Sequence, residues 1–370
     1  MYSVKTQIFK VNAQDPDPGV ISYAVEKLRA GGLVAFPTET VYGLGANAFD
    51  VDAVERIFEV KKRPSYDPVI VHISAVSQIE LAAEDVPDIA YKLAEEFWPG
   101  PLTLVLSKRP RVAANVSSGL STVAVRMPNH KIPLMLVDAS NLPIAAPSAN
   151  LFTRPSPTTA QHVIDDLDGH VDIVLDGGSC PIGLESTVLD LTSANPILLR
   201  PGGVSVESLK KWIPNLELGQ RYVESNHGPA MPSPGMLAKH YSPNAKLLLF
   251  TGSSEGAIKQ YRKIISSLAT RGYKVGVMTT DEDLPHISGT GIEIARLGSE
   301  DNLSMIGQNL FATMRNLEKA GVDLILMRSV RSQGLGFAIW DRLFRASEQQ
   351  VYDLDEPIDI DMIARIVGQK

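Results

Sequence analysis

Pro37-Thr38-Glu39-Thr40-Val41-Tyr42-Gly43-Leu44-Gly45 opens a stretch that closes on Lys61-Lys62-Arg63-Pro64-Ser65-Tyr66-Asp67-Pro68-Val69-Ile70-Val71-His72. The apolar run at 33–36 just before it reads as a strand. Residues 68–73 form a β-branched run with the composition of a strand buried on both faces. Between them, Val51, Val54, Ile57, Phe58 and Val60 share one helical face over residues 51–60. Strand, loop, helix and strand in succession predict an α/β arrangement. The loop supplies small hydroxyls and backbone exposed at glycines, and the helix ends in consecutive cations. That combination suits a polyanionic ligand, a nucleoside triphosphate best of all. Cations at a helix C-terminus also complement the helix dipole, so Lys61 to Arg63 alone do not decide it.

Working outward, 370 residues are enough for two domains with a core each. A hydrophobic content of 44% with 21% charged residues is that of a soluble globular chain. No apolar run is long enough to span a membrane, and residues 1–10 alternate like a strand rather than a signal peptide. The single cysteine, Cys180, excludes an intrachain disulfide and a multi-cysteine zinc site. A reducing cytoplasm is the expected home. Residues 1–212 carry 18 Lys and Arg against 24 Asp and Glu, and the remainder 17 against 18. Tight binding of bare nucleic acid by bulk charge is therefore not expected, although a local basic patch leaves room for weak tRNA or double-stranded RNA binding.

Helical and extended patterns interleave up to about residue 212. Helices are expected at 19–29, 86–97, 132–138 and 159–167, and strands at 102–106, 122–126, 143–146, 173–175 and 188–191. Residues 214–243 lose periodicity and are rich in proline, as linkers and functional lids are. From residue 246 three strands (247–250, 274–278, 324–327) alternate with three helices (255–268, 302–320, 338–346). This predicts a small Rossmann-like parallel sheet without a nucleotide fingerprint, since Gly334-Leu335-Gly336 lacks the third glycine. The seven histidines show no metal-binding spacing, and His162 and His170 are expected to face solvent.

Lys61-x-Arg63, Ser148-x-Asn150 and Thr38-Glu39-Thr40-Val41-Tyr42-Gly43-Leu44 together resemble the YrdC family of threonylcarbamoyl-AMP synthases. Ser233-Pro234-Gly235-Met236 and His240-Tyr241-x-Pro243, with the extra α/β domain, resemble its long, two-domain form. The resemblance implies a curved mixed-sheet YrdC-like catalytic domain (1–212), a linker or lid (213–245) and the Rossmann-like α/β C-terminal domain (246–370). It also implies a reaction: L-threonine, bicarbonate and ATP give threonylcarbamoyl-AMP and pyrophosphate. The product feeds the tRNA threonylcarbamoyl-transferase machinery, which modifies adenosine 37 of tRNA.

By the same resemblance, Lys61 and Arg63 are the catalytic cations. Asp67, Thr122, Ser148, Asn150, Ser156 and Arg200 join them around ATP. Thr40, His72, Arg126, Ala146 and Ser186 surround threonine, with Arg126 offering the fork that a carboxylate wants. His240 and Tyr241 belong to the lid. Mg2+ is expected to be held mainly by phosphates and water, with no protein metal site. The chain departs from the family pattern at Lys62 (usually glycine), Asp67 (usually asparagine), and Leu237 and Ala238 (usually bulkier polar residues). Taken singly, Ser148 could cap a turn, His72 could be a structural histidine, Thr122 a plain strand residue and Arg200 a surface charge. The alternative functions are an RNA-binding module, a carbamoyl-adenylate-forming maturation factor, which the lone cysteine disfavours, and a protein that holds the adenylate without making it.

Overall fold

The computed structural model describes residues 4–219, 230–233, 240–287 and 292–368. The chain divides into two compact units, residues 1–152 with 156–237, and residues 153–155 with 238–370.

The first unit begins β1 (Gln7–Lys10), α1 (Pro18–Arg29), β2 (Val34–Phe36), β3 (Gly43–Asn47), α2 (Val51–Lys61) and β4 (Ile70–His72). It continues α3 (Ile79–Ala82), β5 (Ala83–Glu84), α4 (Asp88–Phe97), β6 (Leu102–Lys108), β7 (Thr122–Arg126), α5 (Lys131–Ser140) and β8 (Ile144–Ala145). It ends α6 (Ala160–Leu167), β9 (Ile173–Asp176), β10 (Thr187–Asp190), β11 (Ile197–Arg200), α7 (Val206–Lys210) and β12 (Glu217–Leu218). These strands form one mixed sheet in the order β1-β9-β2-β3-β8-β4-β7-β6-β10-β11-β12, with β5 pairing with β6 off that path.

Alternation along β2 shows how the layers arise. Val34 and Phe36 pack with Ile21 and Leu28 of α1 and Leu136 of α5. Leu33 and Ala35 point the other way, to Ile57 of α2 and Val163 of α6. A strand covered on both faces reads as a continuous apolar run, which is why it was legible. Asp17 caps α1 by accepting from the N–H groups of Gly19 and Val20, and Asp50 caps α2 in the same way.

Two readings of the central stretch need correction. Residues 43–47 are strand rather than loop, because glycine lowers strand propensity but is required here. A Cβ on Gly45 would come within 2.6 Å of the Phe36 ring and 2.8 Å of Ile144. Val51, expected on the buried face of α2, stands at its first turn and is exposed.

In the second unit β13 (Lys246–Thr251), α8 (Ser254–Ala269), β14 (Val275–Thr280), α9 (Leu284–Ile287) and β15 (Glu293–Gly298) precede α10 (Leu303–Lys319). β16 (Leu324–Arg328), α11 (Leu335–Ala346), β17 (Val351–Asp353) and α12 (Ile360–Gly368) complete it. All its strand pairs are parallel, in the order β15-β14-β16-β13-β17. Tyr261, Ile264 and Leu268 of α8 pack with Ile363 of α12 and with Leu324 and Leu326 of β16. The flanking strands β15 and β17 went unread because both are edge strands without an apolar run.

Candidate active site

The loop between β2 and β3 ties two groups of side chains together. On one side, Gly43 bridges to Ser148, the N–H of Leu44 donates to Pro147 O, and that of Ala149 donates to Tyr42 O. This extension of β3 fixes the turn 147–150 against the end of α2. There the buried Lys61 ammonium donates to the carbonyls of Ser148 and Asn150, both at 2.5 Å. Two motifs separated by 87 residues thus meet at one nitrogen.

Lys62 ends α2 in the left-handed conformation (φ 52°), which accounts for glycine being usual at this position. The left-handed turn brings Arg63 back across the loop that follows. Arg63 donates to the carbonyls of Asp67 (2.9 Å) and Pro68 (2.6 Å) and pairs with the Asp67 carboxylate at 2.9 Å. Its guanidinium also lies 5.9 Å from the Phe152 ring centroid. Met231 packs on Tyr66 and Phe152 and donates its N–H to Tyr66 O.

On the other side of the loop is a buried polar cluster centred on Arg126. In-register pairing of β4 with β7 sets His72 beside Arg126, and β4 with β8 brings Ala146 N–H to Ile70 O. Arg126 donates to Thr40 Oγ1 at 2.9 Å and to Gly100 O at 3.2 Å, and meets Glu39 at 2.7 Å. Parallel pairing of β6 with β10 sets Thr103 Oγ1 2.8 Å from Ser186 Oγ. Arg200, at the end of β11, donates to the Ser186 carbonyl and hydroxyl. A Cβ on Gly202 would lie 2.3 Å from the backbone of residues 185–187, so only glycine lets the 200–202 turn sit there. Ser156 donates to the Glu185 carboxylate.

Thr40, His72, Arg126, Ala146 and Ser186 therefore lie on the loop and on neighbouring strands of one sheet, with Arg200 bonded to Ser186. Lys61, Ser148 and Asn150 form a second group, and Arg63 with Asp67 continues from the same helix end. Thr122 lies at the opposite end of β7 from Arg126. His240 and Tyr241 belong to the second unit, while Leu237 and Ala238 lie outside the described residues. Glu39, Thr103 and Glu185 were not singled out from sequence. Glu39 stood inside a quoted motif, and Thr103 is the lone hydroxyl in the apolar run 102–106. His162 is a correction, being buried in α6 with its Nδ1 accepting from the Thr158 N–H at 3.2 Å.

Burial dominates the electrostatics. It pushes the His72 pKa down to about 3, with the positive Arg126 adding to the effect, so the imidazole is neutral. Burial likewise lifts the Cys180 thiol to about 12, which makes it inert as a nucleophile.

Buried cations on one side of the loop and an arginine-centred polar cluster on the other sit on one α/β sheet. The model of the Sua5–YciO–YrdC family, described as Telomere recombination, matches residues 26–202. The model described as Threonylcarbamoyl-AMP synthase, C-terminal domain, matches residues 204–348. The threonylcarbamoyl-AMP synthase of Pyrococcus abyssi is 44% identical over 331 residues, covering 90% of this chain and 95% of that protein. That of Bacillus subtilis is 41% identical, covering 92% and 96%. The crystal structure of P. abyssi Sua5 complexed with L-threonine superposes with a TM-score of 0.87 at 42% identity, over 94% of this chain and 99% of that one. The chain belongs to the two-domain threonylcarbamoyl-AMP synthases, ATP-using nucleotidyltransferases of the threonylcarbamoyladenosine modification of tRNA.

Proposed function

We propose that the two residue groups are the nucleotide and threonine subsites, and that residues 1–212 carry the chemistry. The observation that supports this best is the single loop, residues 37–43, contacting both groups: Thr40 takes a hydrogen bond from Arg126 and Gly43 bridges to Ser148. Threonine enters with its carboxylate toward Arg126 and its side chain toward Thr40, His72 and Ser186, with Ala146 as a wall. Its neutral amine attacks bicarbonate, water leaves and a carbamate forms, and a carbamate oxygen attacks the α-phosphorus of ATP in line with departing pyrophosphate. Charge then grows on the phosphoryl oxygens, and Lys61 and Arg63 stabilise it from prepositioned sites. Thr122, Ser148, Asn150, Ser156 and Arg200 hold the rest of the nucleotide. Asp67 acts on Arg63, whose fork it orients, rather than on a phosphate it would repel. Magnesium arrives as the ATP salt, coordinated by phosphate oxygens and water.

The adenylate is a mixed anhydride that water destroys, so closure has a chemical purpose. Residues 233–243, of which 234–239 lie outside the described residues, act as the lid, with His240 and Tyr241 nearest the ligands. The product passes in the cytoplasm to the tRNA threonylcarbamoyl-transferase machinery.

The test is pyrophosphate release followed by product analysis. Release is expected only when L-threonine, bicarbonate, ATP and a divalent metal are all present. Equal release without bicarbonate would overturn the mechanism, because the carbamate is its nucleophile. Removing the Lys61 or Arg63 charge should lower turnover by on the order of 10²–10³.

A further inference from the structure

Glu39 has no place in the roles above, yet it is one of the most constrained carboxylates in the first unit. It is 4% exposed, and its Oε1 lies 2.7 Å from Arg126 Nη2. Contact is not the same as satisfaction. Among the described residues, neither Glu39 oxygen accepts a hydrogen bond, and Nη2 donates none. The other Arg126 nitrogens are committed, Nε to Gly100 O and Nη1 to Thr40 Oγ1. Buried charged groups with open hydrogen-bonding positions are costly unless something fills them.

The chemistry of the filler follows from what is left open. Nη2 offers donors to an anion, while the two Glu39 oxygens offer acceptors to a cation. The two ends lie within one side-chain contact of each other. A ligand that satisfies both has a carboxylate and an ammonium group separated by a single carbon, which is an α-amino acid zwitterion. A simple carboxylate would meet Arg126 but face repulsion from Glu39, so the pocket rejects it.

We propose that Glu39 binds the α-ammonium group of the substrate and makes the pocket specific for free amino acids. This rests on the placing of threonine beside Arg126. Glu39 thereby orients the nitrogen, which gives up a proton to solvent before it captures bicarbonate and water leaves. In the empty pocket it serves as the counter-ion of Arg126, and threonine takes over both halves of the pair.

The experiment is calorimetric titration of the full chain with L-threonine and with its des-amino analogue, 3-hydroxybutyrate of matching configuration. Wild-type protein should bind threonine and reject the analogue. In Glu39→Gln, threonine affinity should fall on the order of 100-fold, the usual loss for one partner of a buried charge pair. Affinity for the analogue should rise in the same variant, since the repelling charge is gone and Arg126 is unshared. A general loss of structure would weaken both ligands together and so cannot mimic this crossover. Glu39→Asp, which keeps the charge, should keep the preference for threonine, and it decides the matter if Glu39→Gln does not fold. Parallel changes for both ligands, or loss of the preference in Glu39→Asp, would overturn the assignment. If wild-type protein fails to bind threonine at all, the placing of threonine is what fails.

Discussion

His72 gives the pocket its neutral wall. Because its folded pKa of about 3 lies below the ordinary 6.5, the unfolded chain takes up the proton first as pH falls. Stability from this group is complete above pH 6.5 and drains as the pH drops toward 3, by about 1.4 kcal/mol per unit. Denaturant unfolding should thus show a loss of about 2 kcal/mol at pH 5 relative to pH 7 that His72→Gln abolishes. The same drop in the variant would show that the ring is not the group responsible. Neutral polar walls also bear on selectivity. Serine lacks only the methyl group and should be penalised by about 1–3 kcal/mol in kcat/KM. Valine leaves the hydroxyl partners unpaired and should fare much worse, and equal turnover of valine and threonine would mean the pocket is elsewhere. Lys62 makes a simpler case, since its φ of 52° costs a side chain about 1–2 kcal/mol that glycine avoids. Glycine loses part of this gain to its freer unfolded state, so Lys62→Gly should raise stability by up to about 1 kcal/mol, read as a higher melting temperature.

At the level of elements, the site depends on turns that let strands approach closely. The 200–202 turn lies on the backbone of residues 185–187, and Ser186 and Arg200 are held by that contact. Gly202→Ala should force the two segments apart, lower stability by about 3 kcal/mol and raise KM for both threonine and ATP. Equal KM values in variant and wild type would mean that the turn only fills space. This example also shows where sequence reading succeeds and stops. Buried strands such as β2 and β4 announce themselves, because being covered on both faces demands an unbroken apolar run. β3 does not, because its glycines serve the neighbouring Phe36 ring rather than strand propensity. The motifs around Lys61 and Ser148 were visible as residue types, and folding explains their spacing by bringing both to one ammonium group. The pairing of Glu39 with Arg126 had no such signal, since register along several strands decides which carboxylate meets which guanidinium. His162 likewise read as a polar residue on a helix, and only its hydrogen bond to the Thr158 N–H justifies its burial.

Across the whole molecule, the question is why a chain whose first unit holds the proposed catalytic cations carries a second unit at all. His240 and Tyr241, the proposed lid residues, are grouped with that second unit. Their rings pack edge to face at 4.0 Å, Tyr241 lies 5.3 Å from Phe311, and the Arg342 guanidinium sits 5.4 Å from the Tyr241 ring centroid. Tyr241 is fully buried, so truncating it empties part of a core and should cost about 3–5 kcal/mol. A fall in activity after such a change is therefore ambiguous unless fold and chemistry are measured apart. Tyr241→Phe separates them, because it keeps the ring on Phe311, and it should retain both melting temperature and product yield. Replacing His240 and Tyr241 together by alanine should lower the melting temperature. At temperatures where that variant is still folded, it should make less threonylcarbamoyl-AMP and consume more ATP per product, because an unprotected adenylate hydrolyses. Wild-type yield and coupling from the folded double variant would mean that residues 233–243 only join the two units, leaving the first unit to protect its product alone.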